Sequence, residues 1–323
     1  MRVCIVPEFP AGLMSGGTLV QAEETCEALA ATGDGLTAEL FNWSEYRSLP
    51  DLYHFVSIQP HFYPILELIR QIGRPYLLTL LSPNPAGGPR LWVSAARHFV
   101  KVKCLRRVEL YRAIHGASAI IAITRSGADS LRTIFRLGTK TLHVVPHGVR
   151  EGFFSCSPDA WKATFGPEPF VLCVGAIQRR KNQLLLVEAC NRLRLPVVLL
   201  GPVLPGEKDY GYRVGVAVQQ NEGFGGRWLR TLRNDHPLLL SAFAACRVFA
   251  LLSCSETQPI SVLQAMAARK PVLLLHAGYV AQPPFDRLRF VDNSEPSAVD
   301  RALQQEWNCG LPTQLPASSP GRT

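Results

Sequence analysis

Between Val248 and Leu275 the chain changes its hydrophobic period twice, and this constrains the fold more than any other stretch. Val248 to Leu252 is an unbroken apolar run of strand length. A short loop with Glu256 and Thr257-Gln258-Pro259 follows. From Ile260 the apolar residues Val262, Leu263, Met266 and Ala267 recur at helical spacing, until Pro271 stops the helix and a second apolar run, Val272 to Leu275, begins. Strand, loop, helix, strand at this spacing is the unit of a parallel α/β sheet. In such a sheet, ligands bind at the carboxyl ends of strands, beside helix N-termini whose free N–H groups favour anions. An acid there has two readings: a cap for the helix, or an acceptor for ligand hydroxyls.

The rest of the chain repeats this alternation. Val3 to Val6, Ala38 to Phe41, Leu52 to Val56, Tyr76 to Leu81, Ala117 to Thr124 and Thr141 to Val145 read as strands in the first half. Phe170 to Val174, Val197 to Leu200, Val248 to Leu252, Val272 to Leu275 and Phe290-Val291 do so in the second. Helical periods fall between them, among them Thr18 to Ala31, Pro64 to Ile72, Ser126 to Phe135, Gln183 to Leu193, Leu238 to Cys246 and Ser297 to Trp307. The glycine-rich stretch from Gly201 to Arg233 gives no clear period. A chain of 323 residues with this pattern divides into two α/β domains, expected at 1–152 and 166–309, joined by a Gly-, Ser- and Pro-rich linker and followed by a disordered tail at 310–323.

Charge and cysteine content bound the setting. Hydrophobic residues make up 47% and charged residues 18%, which excludes a disordered chain. The net charge of +9 suits a phosphate or anionic-membrane partner. It is concentrated in residues 90–112, where Arg90, Arg97, Lys101, Lys103, Arg106, Arg107 and Arg112 stand against Glu109 alone, interleaved with Trp92, Phe99 and Tyr111. That segment reads either as a solvated basic face or as a helix that touches an anionic membrane surface. No nucleic-acid motif accompanies it, so nucleic acid is not expected as a partner. Nine dispersed cysteines without a CxxC pair point to reduced thiols and a cytoplasmic protein. The N-terminus reads as a strand rather than a signal peptide, and no apolar run reaches the roughly 18 residues of a membrane span.

Two further places invite a phosphate. Gly16-Gly17 stands between the first strand and its helix, where a backbone without Cβ atoms can approach a ligand closely. Gly175 ends a strand and is followed by Arg179, Arg180, Lys181 and Asn182 at the start of a helix, bringing cations to an N-terminus that already favours anions. His54 and His61 lie near strand ends in the first half and are weaker candidates.

Together these motifs resemble the retaining nucleotide-sugar glycosyltransferases of the GT-B fold, the glycosyl transferases group 1 or family 4-like enzymes. Glu256 matches the family's first donor-site acid, Ala265-Met266-Ala267 and Pro271-Val272 match its EAMA-G-PV run, and Lys181-Asn182 match its RKN motif. Gly16-Gly17 resembles its N-terminal GG loop, and Pro146-His147-Gly148-Val149 its PNGV segment. The departures are Gln264 at the second acid, Arg269 at a usual glycine, Ala176 at a usual arginine, and Thr257-Gln258-Pro259 for a glycine-rich loop. The resemblance covers residues 1 to about 305.

The resemblance implies an α/β fold of two Rossmann-like domains facing each other across a cleft. It implies transfer of a hexose-like sugar, with retention, from a nucleotide-sugar to a glycan or lipid-linked acceptor. Glu256 would hold the sugar's hydroxyls and Lys181 the diphosphate, as the catalytic pair. Gly16, Gly17, Arg180, Pro259, Ile260 and Gln264 would complete the donor site. No D-x-D motif is present, so neither a metal nor any cofactor is expected. The departures leave a second reading, a degenerate relative that binds a nucleotide-sugar or a partner without transferring.

Overall fold

The computed structural model describes residues 1–9, 16–42, 48–81, 104–138, 142–230, 232, 236–292 and 294–309. The chain forms two units, Met1–His147 and Gly148–Thr323. Each holds one six-stranded sheet in which every described strand pairing is parallel.

In the first unit the strands are β1 (Arg2–Val6), β2 (Thr37–Leu40), β3 (Leu52–Val56), β4 (Tyr76–Leu80), β5 (Ala119–Ala122) and β6 (Leu142–Val144), ordered β2-β1-β3-β4-β5-β6. Helices α1 (Gly17–Ala31), α2 (Tyr63–Gln71), α3 (Cys104–His115) and α4 (Arg125–Phe135) cover it. Strand alternation sorts the core onto two faces. Val3, Ile5 and Val56 pack with Ala22 of α1, whereas Cys4, Val6 and Phe55 pack with Leu66 and Ile69 of α2. Thr124 accepts from the Gly127 N–H at 3.0 Å and so fixes the start of α4. Of the basic segment 90–112, residues 90–103 lie outside the described residues; the remainder belongs to α3. Among the described residues no helix is long and apolar enough to cross a membrane.

In the second unit the strands are β7 (Val171–Val174), β8 (Val197–Leu200), β9 (Arg227–Leu229), β10 (Val248–Leu251), β11 (Val272–Leu275) and β12 (Arg289–Val291), ordered β12-β11-β10-β7-β8-β9. The helices are α5 (Asp159–Phe165), α6 (Gln183–Leu193), α7 (Lys208–Asn221), α8 (Pro237–Ala245), α9 (Ile260–Ala267) and α10 (Pro296–Cys309). The central strands are buried on both faces, which is why they read as continuous apolar runs.

Two stretches differ from the sequence expectation. Residues 151–165, expected as part of a linker, fold onto the second unit through a 3-10 turn at Glu151–Phe154 and α5. They insert Phe153 and Trp161 into its core, where Trp161 packs on Phe165 and Phe170 with ring centroids 4.6 and 4.8 Å apart. Turn-forming composition is overridden here by two large aromatics with apolar surface to bury. The stretch 201–233, which shows no clear period, contains α7 and β9. Gly211 hides the helix from sequence reading but serves packing: a Cβ there would sit 2.7 Å from a Val203 methyl. The tail expected to be disordered at 310–323 lies outside the described residues.

Among the weaker candidates, His54 is buried on β3 and shares a 2.7 Å hydrogen bond with the Thr79 hydroxyl on β4. Burial pushes its pKa down to about 4. His61 is exposed, and its Nε2 lies 3.1 Å from the Glu8 carbonyl.

Two outcomes follow from this packing. Trp161→Ala should destabilise the second unit by about 3–5 kcal/mol in chemical denaturation, because it empties a filled aromatic site. For His54, the unfolded chain takes up a proton below about pH 6.5 that the folded protein refuses until about pH 4. His54 therefore weakens the fold as pH falls through that window. Relative to His54→Asn, the wild type should lose about 2 kcal/mol between pH 7 and pH 5.

Candidate functional site

The second sheet reverses its winding between β7 and β10. From β7 the chain proceeds outward through β8 and β9, then returns to lay β10 on the other side of β7. Loops leaving two such neighbours diverge and open a crevice at their carboxyl ends. Glu256 follows β10, and Gly175 through Asn182 follow β7, so both motifs come to this one crevice.

Gly175 turns the chain sharply, with φ +145°. A Cβ on it would lie 2.6 Å from Lys181 Nζ, so glycine leaves room for the lysine head. Next to it, Gly201 (φ +143°) brings its backbone so near Gly175 that a Cβ would lie 2.5 Å from the Gly175 carbonyl. A 3-10 turn, Arg179–Lys181, then leads to Asn182, which takes the left-handed conformation at φ 52° and starts α6. Asn182 Nδ2 donates to the Leu252 carbonyl at 2.9 Å, and the Cys254 N–H donates to the Arg180 carbonyl at 2.8 Å. Gln183, fully buried, donates to the Ala176 carbonyl at 2.9 Å. The two loops are thus stitched to each other before any side-chain charge is considered.

Charge converges on one carboxylate oxygen. Glu256 Oε1 lies 2.8 Å from Arg180 Nη1 and 3.5 Å from Lys181 Nζ, and it accepts from the Ser253 hydroxyl at 3.0 Å. Glu256 and Lys181 are nearly buried, with side chains 11% and 12% exposed, whereas Arg180 is 43% exposed. Arg180 also donates to the Gln178 side chain at 2.9 Å and to the Ser255 carbonyl. Among the described residues every partner of Glu256 falls on Oε1, which leaves Oε2 for a ligand hydroxyl. An acid held by two cations in a crevice can accept hydrogen bonds from a polyol, and its cations can hold a diphosphate.

Pro259 is the N-cap residue of α9, and Ile260 begins the helix; no side chain caps it. The cap reading of Glu256 therefore fails, since its carboxylate turns to Ser253, Arg180 and Lys181 instead. Gln264 sits one turn further along α9 and is buried at 3% exposure. Arg269 takes the left-handed conformation, φ +55°, at the end of α9, where its N–H donates to the Met266 carbonyl and the Lys270 N–H donates to the Ala265 carbonyl. The backbone keeps the geometry a glycine would give, at a cost of about 1–2 kcal/mol for a residue with a Cβ. Gly16 and Gly17 lie in the first unit, at the start of α1; Gly16 is extended and Gly17 helical, and among the described residues no atom lies within 4 Å of a Cβ built on either.

One group in this region is absent from the sequence reading. Tyr279, in the 3-10 turn Gly278–Ala281 after β11, is 1% exposed, and its hydroxyl has no hydrogen-bond partner among the described residues. Burial, with the Glu256 carboxylate next, pushes its phenol above the ordinary range. No motif marks it, because a tyrosine after a strand reads as core.

Arg269→Gly should raise stability by about 1 kcal/mol, measured by chemical denaturation, because glycine takes φ +55° without strain.

Known proteins resemble this chain in sequence and in fold. Residues 159–282 match the family model of glycosyl transferases group 1. O-antigen chain mannosyltransferase C of Escherichia coli is 23% identical over 278 residues, covering 81% of this chain and 68% of the relative. Among solved structures, sucrose-phosphate synthase from Thermosynechococcus elongatus superposes with a TM-score of 0.71 at 17% identity, covering 96% of this chain and 90% of the other. HepE of Anabaena, in complex with UDP-glucose, gives 0.65 at 16% identity, with 94% and 89% covered. These structural likenesses concern the fold.

Proposed function

We propose, from the premise that residues 159–282 belong to the glycosyl transferases group 1 family and that the chain has the GT-B fold, that the protein is a retaining glycosyltransferase. It moves a hexose-like sugar from a nucleotide-sugar to a glycan or lipid-linked acceptor, without a metal ion or cofactor. The observation that carries this reading is the single carboxylate of Glu256 held by Arg180 and Lys181 at the β7–β10 switch point. The UDP-glucose complex of HepE and the mannosyltransferase relative support a nucleotide-sugar as donor.

The chemistry assigns the groups as follows. The bond from the anomeric carbon to the diphosphate breaks, the acceptor oxygen bonds to that carbon on the same face, and the acceptor's proton passes to the leaving diphosphate oxygen. Negative charge grows on the leaving diphosphate, and Lys181 and Arg180 stabilise it. At the start of α9, which no side chain caps, the Ile260 N–H next to Pro259 is a backbone donor for the same charge. Glu256 accepts from sugar hydroxyls through Oε2 and so fixes the sugar's position. Gln264 takes the second acid's place as a neutral acceptor for the ribose. Gly16 and Gly17 offer a backbone free of Cβ atoms to a phosphate. Residues 90–112 would bring a cytoplasmic protein to an anionic membrane surface.

The test is a thermal-shift screen against UDP-, GDP-, ADP- and dTDP-sugars, followed by nucleotide release in the presence of chelator. One donor should stabilise the protein and turn over. Lys181→Ala should weaken both the nucleotide-sugar and its nucleoside diphosphate by about ten- to a hundredfold, the range for losing a charge-assisted contact. Glu256→Gln should cut turnover while leaving the nucleoside diphosphate bound. Binding that needs Lys181 with no release to any acceptor would favour the degenerate, binding-only reading; no shift with any of them would overturn the donor site.

A further inference from the structure

The ion pairs that define the site pose a charge problem. Arg180 and Lys181 both rest on Glu256 Oε1, at 2.8 and 3.5 Å. If a diphosphate draws these cations toward itself, a carboxylate only 11% exposed loses its two charged partners. A buried carboxylate without partners is strongly disfavoured. Ser253 alone then remains on Oε1, at 3.0 Å.

The structure holds a spare hydrogen-bond donor in the neighbourhood. Tyr279 is 1% exposed, and its hydroxyl is sealed from solvent with no partner among the described residues. Leaving such a group unsatisfied is unfavourable, so each one in a native structure calls for a reason. The turn that carries it is fastened to the loop that carries Glu256, because Gln282 Nε2 donates to the Thr257 carbonyl at 3.0 Å. Edge-on packing against Phe285, with ring centroids 6.1 Å apart, holds the ring in place. Burial, and after it the Glu256 carboxylate, keeps the phenol protonated and so available as a donor.

We infer that Tyr279 is a positioning residue for the donor-bound state: its hydroxyl donates to the Glu256 carboxylate once a nucleoside diphosphate takes up Arg180 and Lys181. The inference rests on the donor site proposed above and adds a partner exchange to it. In the free protein Glu256 is held by cations. In the complex it is held by Tyr279 and Ser253, while the cations hold phosphate. The carboxylate thus stays in place to receive the sugar, and its charge no longer competes with the diphosphate for the same two side chains.

The test uses the full chain and a double-mutant cycle with Tyr279→Phe and Glu256→Gln, read by calorimetric titration of UDP, GDP, ADP, dTDP and their nucleotide-sugars and by the melting temperature of the free protein. The exchange predicts that Tyr279→Phe leaves the free protein as stable as wild type, or more so, since it removes only an unpartnered hydroxyl. It should nonetheless weaken the preferred nucleoside diphosphate by about ten- to a hundredfold, the range for a hydrogen bond to a charged group. In the Glu256→Gln background the same substitution should have little effect, because no charge is stranded. A lowered melting temperature with unchanged affinity would make Tyr279 structural and overturn the inference while leaving the donor site standing. So would a loss confined to the nucleotide-sugar and independent of Glu256, which would place the hydroxyl on the sugar itself. If wild type binds none of the four and Lys181→Ala changes nothing, the donor site fails and the exchange falls with it.

Discussion

The side-by-side pairing of β7 with β10 is the constraint on which the rest of the second unit depends. These strands are neighbours in the sheet, with Val248 opposite Val171 and Phe249 opposite Leu172, though their loops are more than seventy residues apart in sequence. Each element between them follows from that closure. β8 and β9, joined by α7, extend the sheet outward, and α8 carries the chain back to β10. The loops at the switch point must then diverge, and the main chain holds them together at their bases through Asn182 to Leu252 and Cys254 to Arg180. Only on that frame can Arg180, Lys181 and Glu256 meet on one oxygen.

The meeting is informative because an ion-pair cluster in a crevice is a weak device for stability. The attraction of partly buried charges is largely offset by their loss of hydration, and exposed pairs contribute little. Two cationic side chains and a serine on one carboxylate oxygen, with the other oxygen left over, suit recognition better than support. Gly175 points the same way: a left-handed residue without a Cβ stands where Lys181 needs room, so the backbone conformation serves the lysine's position.

Much of this was legible in the sequence where physics is local. The strands β3, β8 and β11 and the helix α6 fall where the apolar periods place them, because continuous apolar runs in a two-sided parallel sheet leave little choice. Glu256, Arg180 and Lys181 were readable as a set because each follows a strand end. What escaped reading is what depends on distant contacts. α7 is masked by its glycines, of which Gly211 lets it approach Val203, and residues 151–165 look like a linker until Phe153 and Trp161 find the second unit's core. Arg269 reads as a defect in the sequence, yet the backbone adopts the left-handed turn regardless. Tyr279 is invisible to any motif, since its interest lies in a hydroxyl without a partner among the described residues.

The most direct test of the account is a crystal structure of the full chain with the nucleotide-sugar that stabilises it most. The account places the diphosphate on Lys181 and Arg180, with sugar hydroxyls donating to Glu256 and the Arg180–Glu256 contact of 2.8 Å opened. A donor bound elsewhere, with Glu256 still paired to both cations, would contradict it.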